Sequence, residues 1–166
     1  MTTVRVSPAV SELVAELIRL RRTVATAESL TAGLVCATLT EVPGASAAVR
    51  GGLIVYATEL KHTLAGVDAD LLAEHGAVHP EVAAQLAEGA RLRCGADWGL
   101  GLTGVAGPDP QDGVEPGTVH LAVAGEVEGE TVRTGRTLRV SGAREAVRAA
   151  AVAGAVDLLR EQLTAS

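Results

Sequence analysis

Ser29 lies in the run AESLTAGL (27–34), where an extended stretch delivers Glu28 and Ser29 into what reads as the start of a helix. The first N–H groups of a helix lack internal partners, and they carry the positive end of its dipole. Donors of that kind can hold an oxyanion, and a serine among them can act as the nucleophile of an acyl transfer. A plain N-cap is the alternative reading of Ser29. Against it, Ala32 stands where a capping box would need Glu or Gln. The chain has one lysine, Lys61, and one tyrosine, Tyr56, and both fall in IVYATELKH (54–62). Arginine stays charged in proteins, whereas a buried lysine can lose its proton and act as a base. A Ser/Lys pair can replace Ser/His if the lysine is neutral near pH 7. Its pKa must then fall by about three units, which burial or a nearby cation can bring about. Tyr56 could orient the lysine or relay its proton; as an ordinary strand residue it would only pack its ring.

A third stretch, TGVAGPDP (103–110), follows a strand. Gly104 and Gly107, with that strand before them, resemble a turn whose backbone N–H groups cradle a phosphate. The glycine spacing is that of neither a Walker A loop nor a dinucleotide fingerprint, and a tight loop is the alternative. Arg144 and Arg148 share one face near the start of the last helix, where they could receive a phosphate or remain solvated. His75 and His79 are four apart, but Gly76 and Pro80 interrupt the helix that would align them, so no metal site is expected. His120, in a strand, is expected to be a core or surface residue.

Several elements must position these residues. Ser7-Pro8 opens a helix with Val10, Leu13, Val14, Leu17 and Leu20 at helical spacing. TVATAE (23–28) reads as a strand, SLTAGLVCATLT (29–40) as a helix and RGGLIVYA (50–57) as a buried strand. Short helices follow over 58–65 and in DADLLAEHG, then a longer one over 80–94. Residues 97–107 form a strand running into a loop that lasts to 117. TVHLAVAG and TVRTGRTLRV flank EVEGE as a hairpin. A helix over 141–163, capped by Ser141, buries Val147, Ala150, Ala151, Gly154 and Leu158. This pattern predicts one domain over 1–166, a three-layer α/β fold with a mixed sheet.

The 166 residues are 48% hydrophobic with 1% aromatic, so the core must be aliphatic. A net charge of −6 without a basic tail argues against nucleic-acid binding, and the missing aromatics argue against single-strand stacking. Cys36 and Cys94 lack metal-ligand spacing and read as reduced core residues. The start, MTTVRVSPAV, has no apolar h-region, and no run approaches the roughly 18 apolar residues of a membrane span. A soluble cytoplasmic protein is expected.

In this order, AESLTAGL, VPGAS, GGLIVYATELKHTLAGV, EHGAV, ADWGLGLTGVAGP, PGTVHLAV and REAVR resemble one family over about residues 7–163. It is the C-terminal domain of the competence/damage-inducible protein CinA, also found alone as nicotinamide-nucleotide amidohydrolase. The resemblance implies an α/β/α sandwich with a mixed sheet. It also implies deamidation of nicotinamide mononucleotide to nicotinate mononucleotide and ammonia, with no metal and no cofactor. By position, Ser29 matches the nucleophile, Lys61 the general base and Tyr56 the site tyrosine, with Thr103 and Gly104 in the loop lining the pocket. Glu28, Leu30, Thr31, Gly33, Gly107 and Arg144 complete the expected substrate-binding set. Two positions depart from the family pattern: Ala32 replaces a glycine, and Asp109-Pro110 follows GVAGP where glycine is usual. The expected partner is a small pyridine nucleotide, with no nucleic acid and no membrane; a homo-oligomer stays open. A non-catalytic nucleotide-binding or competence-associated interaction module on the same scaffold is the alternative.

Overall fold

The computed structural model describes residues 6–165. Residues 1–5, part of the start read as lacking an apolar h-region, lie outside them. In chain order the elements are α1 (Pro8–Leu20), β1 (Val24–Glu28), α2 (Leu34–Thr40), a 3₁₀ turn (Ala45–Ala47), β2 (Val49–Ile54) and α3 (Thr58–Thr63). Then come α4 (Ala69–His75), α5 (Pro80–Cys94), β3 (Trp98–Gly104), β4 (Thr118–Val127), β5 (Glu130–Arg139) and α6 (Arg144–Ala165). The five strands form one mixed sheet in the order β2-β1-β3-β4-β5. The first three are mutually parallel, and β4 is antiparallel to both of its neighbours, β3 and β5.

Strands covered on both faces need residues that suit two cores. On one face α1, α2 and α6 pack against Val24, Trp98, Leu100, Leu102, Leu121 and Val123. On the other, α5 and its neighbours pack against Ala25 and Ala27 and against Ala122 and Ala124. The residues facing α5 are small because the helix lies very close. A Cβ at Gly99 or Gly101 would run into the carbonyls of Ala87 and Ala83. The hairpin turn has positive φ at both central residues, Glu128 at 53° and Gly129 at 82°, the geometry that matches strand twist in a two-residue loop.

The α/β sandwich agrees with the expected architecture, but five local expectations are corrected. Residues 29–33 are not helical, because left-handed Ala32 and Gly33 delay the helix to Leu34. β2 is an edge strand that alternates between half-buried and exposed residues, so it is not buried through. Ser7 makes no side-chain cap to α1. Ser141 is too early to cap α6, whose first-turn bond runs from Val147 N–H to the Ala143 carbonyl. Cys36 and Cys94 are free and only half-buried. Among the described residues no helix is long and apolar enough to cross a membrane.

Candidate active site

In open sheets with parallel strands, ligands sit beyond the carboxyl ends, where connections leave to opposite faces. Here α2 leaves β1 on one face, and α3–α5 cross on the other to reach β3. Ser29 follows β1 directly and is 8% exposed. Its N–H donates to the Leu102 carbonyl at 3.1 Å, which ties it to β3. Val55 N–H donates to the Glu28 carbonyl at 2.9 Å, which ties the end of β1 to the end of β2.

Two overlapping turns then replace the expected helix start. Ala32 N–H donates to the Ser29 carbonyl at 3.1 Å, and Leu34 N–H to the Thr31 carbonyl at 2.9 Å. Ala32 has φ 47° and Gly33 φ 96°. The N–H groups of Leu30 and Thr31 meet no acceptor among the described residues. The free donors beside Ser29 are therefore turn amides, not a helix end. The helix end is taken by Glu28, whose fully buried carboxylate accepts from Val35 N–H (2.8 Å), Cys36 N–H (3.0 Å) and Thr26 Oγ1 (2.9 Å). An anion suits that position. Glu28 is thus a structural cap of α2, which corrects its expected substrate role. Gly33 is corrected likewise: it lies against Ile54 at the sheet edge, outside the cavity lined by Ser29.

Lys61 is 1% exposed. Its Nζ donates to the carbonyls of Val55 (2.8 Å) and Tyr56 (3.2 Å) at the end of β2. Burial lowers its pKa to about 8, although the carboxylates of Glu59 and Asp112 pull it the other way. No hydrogen bond joins Nζ to Ser29 Oγ. Catalytic contacts of this kind often close only on substrate. The main-chain link from Val55 to Glu28 nonetheless sets the lysine's anchor on the strand beside the serine. Tyr56 touches Lys61 through its carbonyl, not its phenol. The phenol accepts from Arg144 Nη2 at 3.1 Å, so in this structure it meets Arg144 and not the lysine.

Ser29, Leu30, Tyr56, Arg144 and residues 104–111 line a cavity of about 330 Å³. A Cβ at Gly104 would press on the Thr118 carbonyl, and Gly107 has φ 91°, so both glycines are sterically required. Arg144 Nη1 donates to the Gly107 carbonyl at 2.9 Å and bridges that loop to Tyr56. Thr103 is buried, and its Oγ1 donates to the Ala77 carbonyl at 2.7 Å; it does not line the cavity. The Thr31 side chain is likewise buried and outside the cavity lining, with Oγ1 unpaired. Arg148, expected beside Arg144, instead grips the Leu30 and Thr31 carbonyls. His75 and His79 stack with ring centroids 4.5 Å apart, and His79 Nδ1 accepts from Glu81 N–H at 3.1 Å. His120 bonds Thr137 Oγ1. Burial, Arg139 and His79 lower its pKa.

Sequence reasoning missed Asp112. Its carboxylate accepts from Ala77 N–H at 3.3 Å, pins the 105–117 loop across the α4–α5 connection and bears on Lys61. No local pattern marks it, because its partner lies 35 residues away.

A family model for the CinA C-terminal domain matches residues 7–163. A CinA-like protein of Frankia casuarinae is 48% identical over 147 residues, covering 89% of this chain and 33% of that protein. One from Mycolicibacterium paratuberculosis is 45% identical over 157 residues, covering 93% and 36%. The chain thus spans about a third of the length of these relatives. Among solved structures, competence/damage inducible protein CihA from Agrobacterium tumefaciens superposes with TM-score 0.85 at 32% identity, covering 96% of this chain and 98% of that one. A CinA superfamily protein from Klebsiella pneumoniae superposes with TM-score 0.87 at 30% identity, covering 95% and 97%.

Proposed function

For this chain, which belongs to the CinA C-terminal domain family, we propose a metal- and cofactor-free amidase that converts nicotinamide mononucleotide to nicotinate mononucleotide and ammonia. The observation that carries the reading is the environment of Lys61. A lysine buried on α3, its Nζ held among the described residues only by the Val55 and Tyr56 carbonyls on the strand end bonded to Glu28, with a pKa near 8, is suited to base work.

Neutral Lys61 takes the Ser29 hydroxyl proton as Oγ bonds to the carboxamide carbon. The carbonyl electron pair moves onto oxygen, which the Leu30 and Thr31 amides receive. The C–N bond then breaks as Lys61 returns the proton to departing ammonia. Water adds to the acyl-serine, giving a proton to Lys61, and collapse releases the carboxylate while Ser29 recovers its proton. Arg144 supplies the cation for the substrate phosphate at the cavity mouth.

Ammonia release measured across a panel of pyridine nucleotides tests the reading. Ser29→Ala and Lys61→Arg should each lower turnover at least about 10³-fold while circular dichroism stays unchanged. Full activity in Lys61→Arg removes the base assignment. Calorimetric binding of the mononucleotide with no ammonia released from the wild type would make the chain a binding module instead.

A further inference from the structure

An oxyanion hole built from a turn has a weakness that a helix end lacks: the Ala32-to-Ser29 bond closes the turn but does not fix which way its central peptide, Leu30–Thr31, faces. The N–H of Thr31 shares a planar peptide with the carbonyl of Leu30, and the two point in opposite directions. Whatever holds the Leu30 carbonyl therefore aims the Thr31 N–H. That carbonyl accepts from Arg148 Nε at 3.0 Å, and Nη2 of the same guanidinium reaches the Thr31 carbonyl at 3.4 Å. Arg148 is half-buried on α6, over a hundred residues further along the chain, and it pairs with no carboxylate among the described residues. Its charge faces the oxygen side of a peptide whose N–H side meets no acceptor among the described residues. A cation bonded to an amide oxygen also draws electron density through the peptide and strengthens its N–H as a donor.

We propose that Arg148 is a positioning residue that aims and polarises the Thr31 N–H toward the oxyanion formed on attack by Ser29. It does not bind the substrate phosphate. This rests on the reading of Ser29 as nucleophile. Arg144, which lines the cavity, remains the residue for the anion.

The test uses Arg148→Ala and Arg148→Lys in the full chain, each checked for a cooperative melt. Two rates are measured: steady-state ammonia release from nicotinamide mononucleotide, and covalent labelling of Ser29 by a fluorophosphonate. In the labelling step Oγ bonds to phosphorus, fluoride leaves, and the phosphoryl oxygen occupies the hole. For Arg148→Ala, kcat should fall about 10–100-fold with KM within about twofold, since the interaction acts only in the transition state. Labelling should slow in parallel, and added guanidinium ion should restore part of both rates. Arg148→Lys should fall between wild type and Arg148→Ala. An unchanged kcat, or a raised KM at full kcat, overturns the assignment. If the wild type releases no ammonia, the amidase reading fails, and labelling alone decides: slower labelling of Arg148→Ala than of wild type retains the inference, while equal or absent labelling ends it. If Arg148→Ala does not fold, wild-type labelling and turnover rates in Arg148→Lys overturn it.

Discussion

Lys61 shows how one residue type in one environment acquires chemistry. Burial favours its neutral form and leaves it with a pKa near 8, so about a tenth of the molecules hold the free base at pH 7. In the amidase reading, kcat/KM should climb about tenfold per pH unit below pH 7 and level off above about 8. A flat profile from pH 6 to 9 would exclude Lys61 as the base. The same group acts on stability. Its pKa is lowered on folding from 10.5 to about 8, so between those values the unfolded chain binds more protons. The penalty is present in full below about pH 8 and fades as pH rises toward 10.5. Wild type should therefore gain stability relative to Lys61→Met across that window. At this scale Lys61 and Ser29 stood out in the sequence, one as a unique residue and one at a strand end. Glu28 could not be read correctly there, because the amides it caps come seven and eight residues later, after turns that local spacing did not reveal.

At the scale of elements, the turn over 29–33 is what most distinguishes the structure from expectation. The run SLTAGLVCATLT holds good helix formers, and Ala32 gives no local reason to stop. The helix is delayed because Glu28 offers its carboxylate to Val35 and Cys36, and the chain must loop back to deliver those amides. Ala32 is left at φ 47°, where a Cβ costs about 1–2 kcal/mol. Glycine relieves that cost but loses more entropy on folding, so Ala32→Gly should stabilise by roughly 0.5–1 kcal/mol. Urea unfolding measures it, and a lower midpoint would show that the turn is not strained at this residue. The regular elements were more legible. α1, α5 and the hairpin carry proline, periodicity and turn signals in their own residues. β2 was misread as buried because an edge position depends on sheet order.

For the whole molecule, the charge balance and the packing carry different information. With a net charge of −6 and no basic tail, a labelled DNA duplex should show no retardation with this protein even at about 50 mM salt. A shift that fades as salt rises would restore a nucleic-acid partner. By itself the sequence determined the helix and strand types with strong local signals, the aliphatic core, the net negative charge and the unusual residues Ser29, Lys61 and Tyr56. It also carried the ordered motifs of the family, because these are properties of neighbours along the chain. The tertiary structure decided which groups meet. Sheet order set the end of β2 beside the end of β1, burial lowered the Lys61 pKa, and α6 returned to bring Arg144 to Tyr56 and Arg148 to the turn after Ser29. Those outcomes depend on hydrogen bonds and desolvation between segments up to 118 residues apart, which no local pattern encodes.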